Sequence, residues 1–90
     1  MKPAVKVIIP AYNEAAAISK VIGDIPNFVQ ETIVVDNGST DPTSEVAKRA
    51  GVTVLIEPNK GYGSACLKGI EYIRNSNQKT DIIVFLDGDY

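Results

Sequence analysis

The sequence has 90 residues, 44% hydrophobic and 22% charged, with a formal net charge of -2 at pH 7. A chain of this size makes one small domain with a single core, burying roughly 60% of its unfolded surface. Its lysines and arginines are scattered, which excludes the basic footprint of a protein that binds nucleic acid or an anionic membrane.

The first apolar run, "AVKVIIP" (residues 4–10), reads as a β-strand closed by Pro10. Lys6 and Asn13 break it too early for a signal peptide. No stretch approaches the roughly 18 apolar residues of a membrane span, so a soluble, cytoplasmic protein is expected. Ile18, Val21, Ile22 and Ile25 recur at helical spacing and predict a first helix with Asn13 as its N-cap. "ETIVVD" (residues 31–36) is nearly continuous in apolar residues, as a parallel strand covered on both faces would be. A second helix is expected from Asp41 as N-cap and Pro42 at the first helical position, through Val46, Ala47 and Ala50, to Gly51 as C-cap. "VTVLIEP" (residues 52–58) is the third strand, and residues 63–74 the third helix, with Cys66, Ile70 and Ile73 facing inward. The only cysteine, Cys66, excludes an internal disulfide and reads as a small buried apolar residue in a reducing compartment. "TDIIVFLD" (residues 80–87) is the fourth strand, and no linker, repeat or low-complexity tract interrupts the series.

Strands alternate with helices, and right-handed crossovers make this an α/β fold, a parallel sheet with helices on both faces. The expected strand order is 3-2-1-4. Ligands of such sheets bind beyond the carboxyl ends of the strands. Those ends carry "PAYNE", "VDNGSTD", "EPNKGYG" and "LDGDY", so the polar clusters share one rim.

Each cluster admits two readings. Asp87 and Asp89 flank Gly88; an extended backbone would point both carboxylates to one side, suited to Mg²⁺ or Mn²⁺ bridged to a diphosphate, whereas a plain turn also uses Asp and Gly. Asp36 could accept hydrogen bonds from a nucleobase or ribose, while a loop leading to the Asp41 cap accounts for residues 39–42 without it. Tyr12 offers a ring for base stacking, and Glu14 is either a ligand of the pocket or a carboxylate favoured by the helix dipole. Gly61 and Gly63 free backbone N–H groups at a helix start beside Lys60, a place for a diphosphate or merely a tight turn. No G-x-G-x-x-G follows the first strand and no GxxxxGK[ST] loop exists.

Taken together, "VIIPAYNE", "IVVDNGSTD", "NKGYGSACLKGI" and "VFLDGD" resemble, in order and spacing, the N-terminal, nucleotide-binding half of a family 2 glycosyltransferase of the GT-A fold. "GYGSACLKGI" is most similar to the branch of polyprenyl-phosphate and cell-envelope glycosyltransferases. The resemblance implies a Rossmann-like three-layer α/β/α architecture for residues 1–90. It implies that Asp36 binds the nucleobase of a sugar nucleotide and that Pro10, Tyr12 and Glu14 line the base and ribose pocket. Asp89 would ligate the divalent ion, Mg²⁺ or Mn²⁺, and Asp87 would face the ribose or a metal-bound water. Asn37 stands where many members have a second aspartate, and Leu67 where many have asparagine.

The resemblance further implies inverting transfer from a UDP- or GDP-sugar, with a polyprenyl phosphate or another sugar as acceptor. The family's general base and acceptor pocket lie beyond the D-x-D, so a donor-binding half without turnover of its own is expected. An open apolar edge at "DIIVFL" predicts a homo-oligomer. Two other classes remain: a non-catalytic nucleotide-binding or self-associating module, and a phosphatase of the haloacid dehalogenase type, whose D-x-D-x-T motif lacks its threonine here and would normally open the domain.

Overall fold

The computed structural model describes residues 2–89. Seven elements follow in the order β1 (Val5–Ala11), α1 (Ile18–Gly23), β2 (Glu31–Asp36), α2 (Thr43–Arg49), β3 (Thr53–Ile56), α3 (Tyr62–Arg74) and β4 (Ile82–Phe85). The four strands form one parallel sheet in the order β3-β2-β1-β4, as expected. β1 runs one residue past Pro10, because Ala11 pairs with Asp36.

The sheet divides the core into two layers. Val7, Ile9 and Ala11 of β1 and Val34 of β2 pack with Ile18, Val21 and Ala47 of α1 and α2. Ile8, Ile33 and Val35 pack on the opposite face with Ala65 and Ile73 of α3. Side chains alternate across a strand, so covering both faces requires consecutive apolar residues, Val7, Ile8 and Ile9 in β1 and Ile33, Val34 and Val35 in β2. The contact line of α3 is Ala65, Gly69 and Ile73, all buried, and Cys66 is only half-buried, contrary to its expected inward place. Small residues explain the shift: a Cβ on Gly69 would lie 2.7 Å from Cγ2 of Ile8, so the helix seats itself where its side chains are smallest.

Lys6 is fully buried in the middle of the sheet, its ammonium 3.2 Å from the Glu31 carboxylate. Glu31 also accepts hydrogen bonds from the hydroxyls of Thr53 and Tyr72, each at 2.8 Å. Burial alone would raise the Glu31 pKa, but these hydroxyls and Lys6 outweigh it and hold the group below its usual range.

The helix ends differ from expectation in detail. The α2 helix begins at Thr43, so Pro42 and not Asp41 occupies the N-cap position; Asp41, one residue earlier, accepts the Thr43 N–H at 3.0 Å. Gly51 lies one residue past the C-cap Ala50, with φ +86°, the left-handed conformation that ends a helix at least cost in a glycine. Asn13 does not cap α1, which starts five residues later with no side-chain cap. Its role lies in the rim.

Candidate donor-binding rim

The loop after β1 is fastened to the loop after β2. Asn13 holds a left-handed φ of 53°, its N–H donating to Ser39 Oγ at 2.8 Å. Its Oδ1 accepts the N–H groups of Thr40 at 2.8 Å and Asp41 at 3.3 Å. The N–H groups that open the turn before α1 find partners across the fold: Glu14 donates to Thr43 Oγ1 at 2.9 Å and Ala15 to Asp41 Oδ2 at 3.1 Å. Thr43 thereby belongs to both loops, and its hydrogen bond to Asp41 is the main reason the Asp41 carboxyl titrates below its usual range.

Beneath these loops, Asp36 is 6% exposed. Its Oδ1 accepts the Ser39 N–H at 2.9 Å and its Oδ2 the Ser44 hydroxyl. Asn37, also buried, reaches the other way. Its Nδ2 donates to the carbonyls of Glu57 at 2.9 Å and Asn59 at 2.8 Å, and its Oδ1 accepts the Gly61 N–H at 2.9 Å. Gly61, at φ +125°, turns the chain into α3 and leaves Lys60 exposed beside the helix start.

A cleft of about 160 Å³ opens above, lined by Pro10, Ala11, Tyr12, Asn37 and Tyr62. The two tyrosine rings are exposed, which suits them to flank a planar group. Tyr62 escapes the sequence reading; its place at the start of a helix after a glycine turn is the available signal. Burial, the Cys66 thiol and the Asp87 carboxylate push its hydroxyl pKa upward.

The fourth corner is the end of β4. The Leu86 N–H still bonds the Ile8 carbonyl at 3.0 Å. Gly88 is buried against β1, where a Cβ would lie 3.2 Å from that of Ala11 and 3.3 Å from the Pro10 carbonyl oxygen. Asp87 and Asp89 stand exposed on either side, and both line a second cleft of about 420 Å³ floored by Val21, Ile25 and Leu86. The Glu14 carboxyl is raised by burial, then by the charges of Asp89 and Asp41; α1 begins only at Ile18 and has no acidic residue in its first turn, so Glu14 does not hold the place that the helix-dipole reading gave it.

Among the described residues no group of three or more acidic, histidine or cysteine side chains could hold a metal ion by itself. A pair of exposed carboxylates fits the mode in which Mg²⁺ or Mn²⁺ takes one or two protein oxygens and completes its shell with water and phosphate.

The sequence matches the family described as Glycosyl transferase family 2 over residues 6–90. The chain belongs to this family. As a family 2 chain it is 41% identical over 87 residues to Protein RfbJ of Shigella flexneri, covering 94% of this chain and 64% of that protein. It is 36% identical over 87 residues to glycosyltransferase AglJ of Haloferax volcanii, covering 96% of this chain and 27% of the relative. Among solved structures, glucosyl-3-phosphoglycerate synthase from Mycobacterium tuberculosis, in complex with Mn²⁺, UDP-glucose and glycerol 3-phosphate, superposes with a TM-score of 0.82 at 32% identity. That match covers 97% of this chain and 34% of the synthase. The family 2 chain thus spans less than two-thirds of the length of these relatives.

No helix among the described residues is long and apolar enough to cross a membrane.

Proposed function

We infer that this chain binds the donor of a metal-dependent, inverting glycosyl transfer, a UDP- or GDP-linked sugar. One observation carries the reading: the cleft lined by Tyr12 and Tyr62 and the Asp87 and Asp89 pair lie on one rim, where the buried Asp36 pairs with the cleft residue Ala11. The base would lie in the tyrosine cleft with Pro10 at its wall and Asp36 offering its remaining lone pairs. Glu14 would line the ribose side. Lys60 and the N–H groups from Gly61 onward would meet the diphosphate at the start of α3. Asp89, with Asp87, would hold Mg²⁺ or Mn²⁺, which supplies Lewis-acid neutralisation of a departing diphosphate. The Mn²⁺ and UDP-glucose named with the related synthase support this assignment. The acceptor would be a polyprenyl phosphate or another sugar, and the place of action cytoplasmic.

A thermal-shift panel of UDP, GDP, CDP and NAD, with and without Mn²⁺, tests the reading. Ligand at about a hundred times its dissociation constant adds roughly 2.7 kcal/mol, which in a domain this small moves the midpoint by roughly 10 °C or more. A shift with one nucleoside diphosphate that requires Mn²⁺ is expected. No shift with any of them, or a shift with NAD alone, sinks the donor reading.

The β4 strand is one edge of the sheet, and Ile82 through Leu86 are 36–45% exposed. Unpaired edge groups beside apolar side chains favour pairing with a second copy, so the chain should self-associate. Light scattering that shows only monomer at high concentration would count against this.

A further inference from the structure

Asn37 is 8% exposed and uses its whole carboxamide on one loop. Both Nδ2 hydrogens go to carbonyl oxygens, of Glu57 and Asn59, and Oδ1 takes the Gly61 N–H. The partners lie 20 to 24 residues along the chain, so the contact joins the end of β2 to the segment that enters α3. A carboxylate has the size of this group but no hydrogens. It could keep the Gly61 bond, yet it would turn acceptor oxygen toward two carbonyls that need donors. A glutamine has the chemistry but is one methylene too long. The residue that lines the cleft beside both tyrosines therefore has no amide hydrogen left for a ligand.

We propose that Asn37 is a positioning residue of the donor cleft: its carboxamide clamps residues 57–61 to the end of β2 and so sets where Gly61 and Tyr62 stand opposite Tyr12. The use of the cleft rests on the donor reading above; the clamp itself does not. In this chain an aspartate at position 37 would leave the Glu57 and Asn59 carbonyls without their donors and loosen the loop.

Nuclear magnetic resonance of the 90-residue chain tests the clamp without ligand. In the wild type the Asn37 side-chain NH₂ protons should exchange slowly with solvent; exchange at the rate of an exposed asparagine overturns the proposal, even if every variant fails to fold. In Asn37→Asp at neutral pH, amides 59–62 should exchange about ten-fold faster or more, as the loss of two hydrogen bonds implies. Amides of β1 and β2 should stay protected. As the pH falls and the new carboxyl gains a proton it can donate, chemical shifts of residues 59–62 should move back toward wild type. Asn37→Ala should show the same loosening with no such pH dependence. Loop shifts in Asn37→Asp that match wild type at all pH values overturn the clamp. Titration of UDP with Mn²⁺ then tests its consequence. Affinity should fall about ten-fold in Asn37→Asp and not in Leu67→Asn, which alters the other atypical position, on an exposed face of α3. Unchanged affinity in Asn37→Asp would refute the positioning role. A wild type that binds no UDP would instead count against the donor reading and leave the clamp to the resonance data.

Discussion

On the β2 side of the rim the polar side chains that shape the loops are committed to one another. Asn13, Asp36, Asn37, Asp41 and Thr43 each hold backbone groups from a neighbouring loop or helix start. On the β4 side, Asp87 and Asp89 are exposed and make no hydrogen bond to another described residue, while only Gly88 between them is fixed by packing. The difference lies in what each chemistry can satisfy internally. Amides, hydroxyls and single carboxylates find donors and acceptors within the fold. Neighbouring carboxylates repel: burial first, and then the charges of Asp89 and Asp41, raise the Glu14 pKa, and a cation would relieve that repulsion. One side of the rim is held by its own hydrogen bonds, and on the donor reading the other would be completed by a bound cation.

The strands beneath the two sides should break differently. Ile33 of β2 is fully buried, so Ile33→Ala should cost about 2–5 kcal/mol. Ile83 of β4 is 36% exposed, and Ile83→Ala should cost under about 1 kcal/mol. Urea denaturation of both variants checks the contrast, and equal losses would mean that β4 is as well packed as β2.

Two glycines sharpen it next. Gly88→Ala forces a methyl against Ala11, Glu14 and the Pro10 carbonyl, and should cost about 1–3 kcal/mol while abolishing any Mn²⁺-dependent stabilisation by nucleotide. Gly63 lies in the first turn of α3, where an added methyl would meet nothing within 4 Å; Gly63→Ala should stabilise the chain by up to about 1 kcal/mol. A Gly88→Ala variant that keeps its Mn²⁺ response would detach the aspartate pair from the metal.

The smallest effect concerns Glu14. Its pKa is raised in the folded chain, so the native state holds the proton more tightly than the unfolded chain. Stability is therefore greatest below the unfolded value and declines as pH rises through the folded one. Glu14→Gln should raise the melting temperature at pH 7 and leave it nearly unchanged at pH 4, an effect within about 0.5 kcal/mol. Added Mn²⁺ should shrink the pH 7 gain by offsetting the Asp89 charge. A variant less stable than wild type at pH 7 would show that a favourable contact of the carboxylate outweighs its burial and the charges of Asp89 and Asp41.

The Asn13 case shows where sequence reading stops. Asparagine followed by a helical pattern suggests a cap, yet Asn13 serves residues 26 to 28 positions away and leaves the first turn before α1 to Thr43 and Asp41. Cys66 shows a second limit, because large apolar residues advertise a helical face while Ala65 and Gly69, which allow close approach, do not.

What the sequence determined by itself was the order of elements, a parallel sheet covered by helices on both faces, and the gathering of its polar motifs on one rim. Each follows from local periodicity, the fixed hand of crossovers and the geometry of strand ends, which act without regard to distant partners. The tertiary structure alone decided that the Asn37 carboxamide bonds the segment leading into α3, that Tyr62 lines one cleft with Tyr12, and that Asp41 and Thr43 serve two loops at once. Those contacts join residues far apart in the chain, and a hydrogen bond leaves no periodic trace until folding brings its donor and acceptor within about 3 Å.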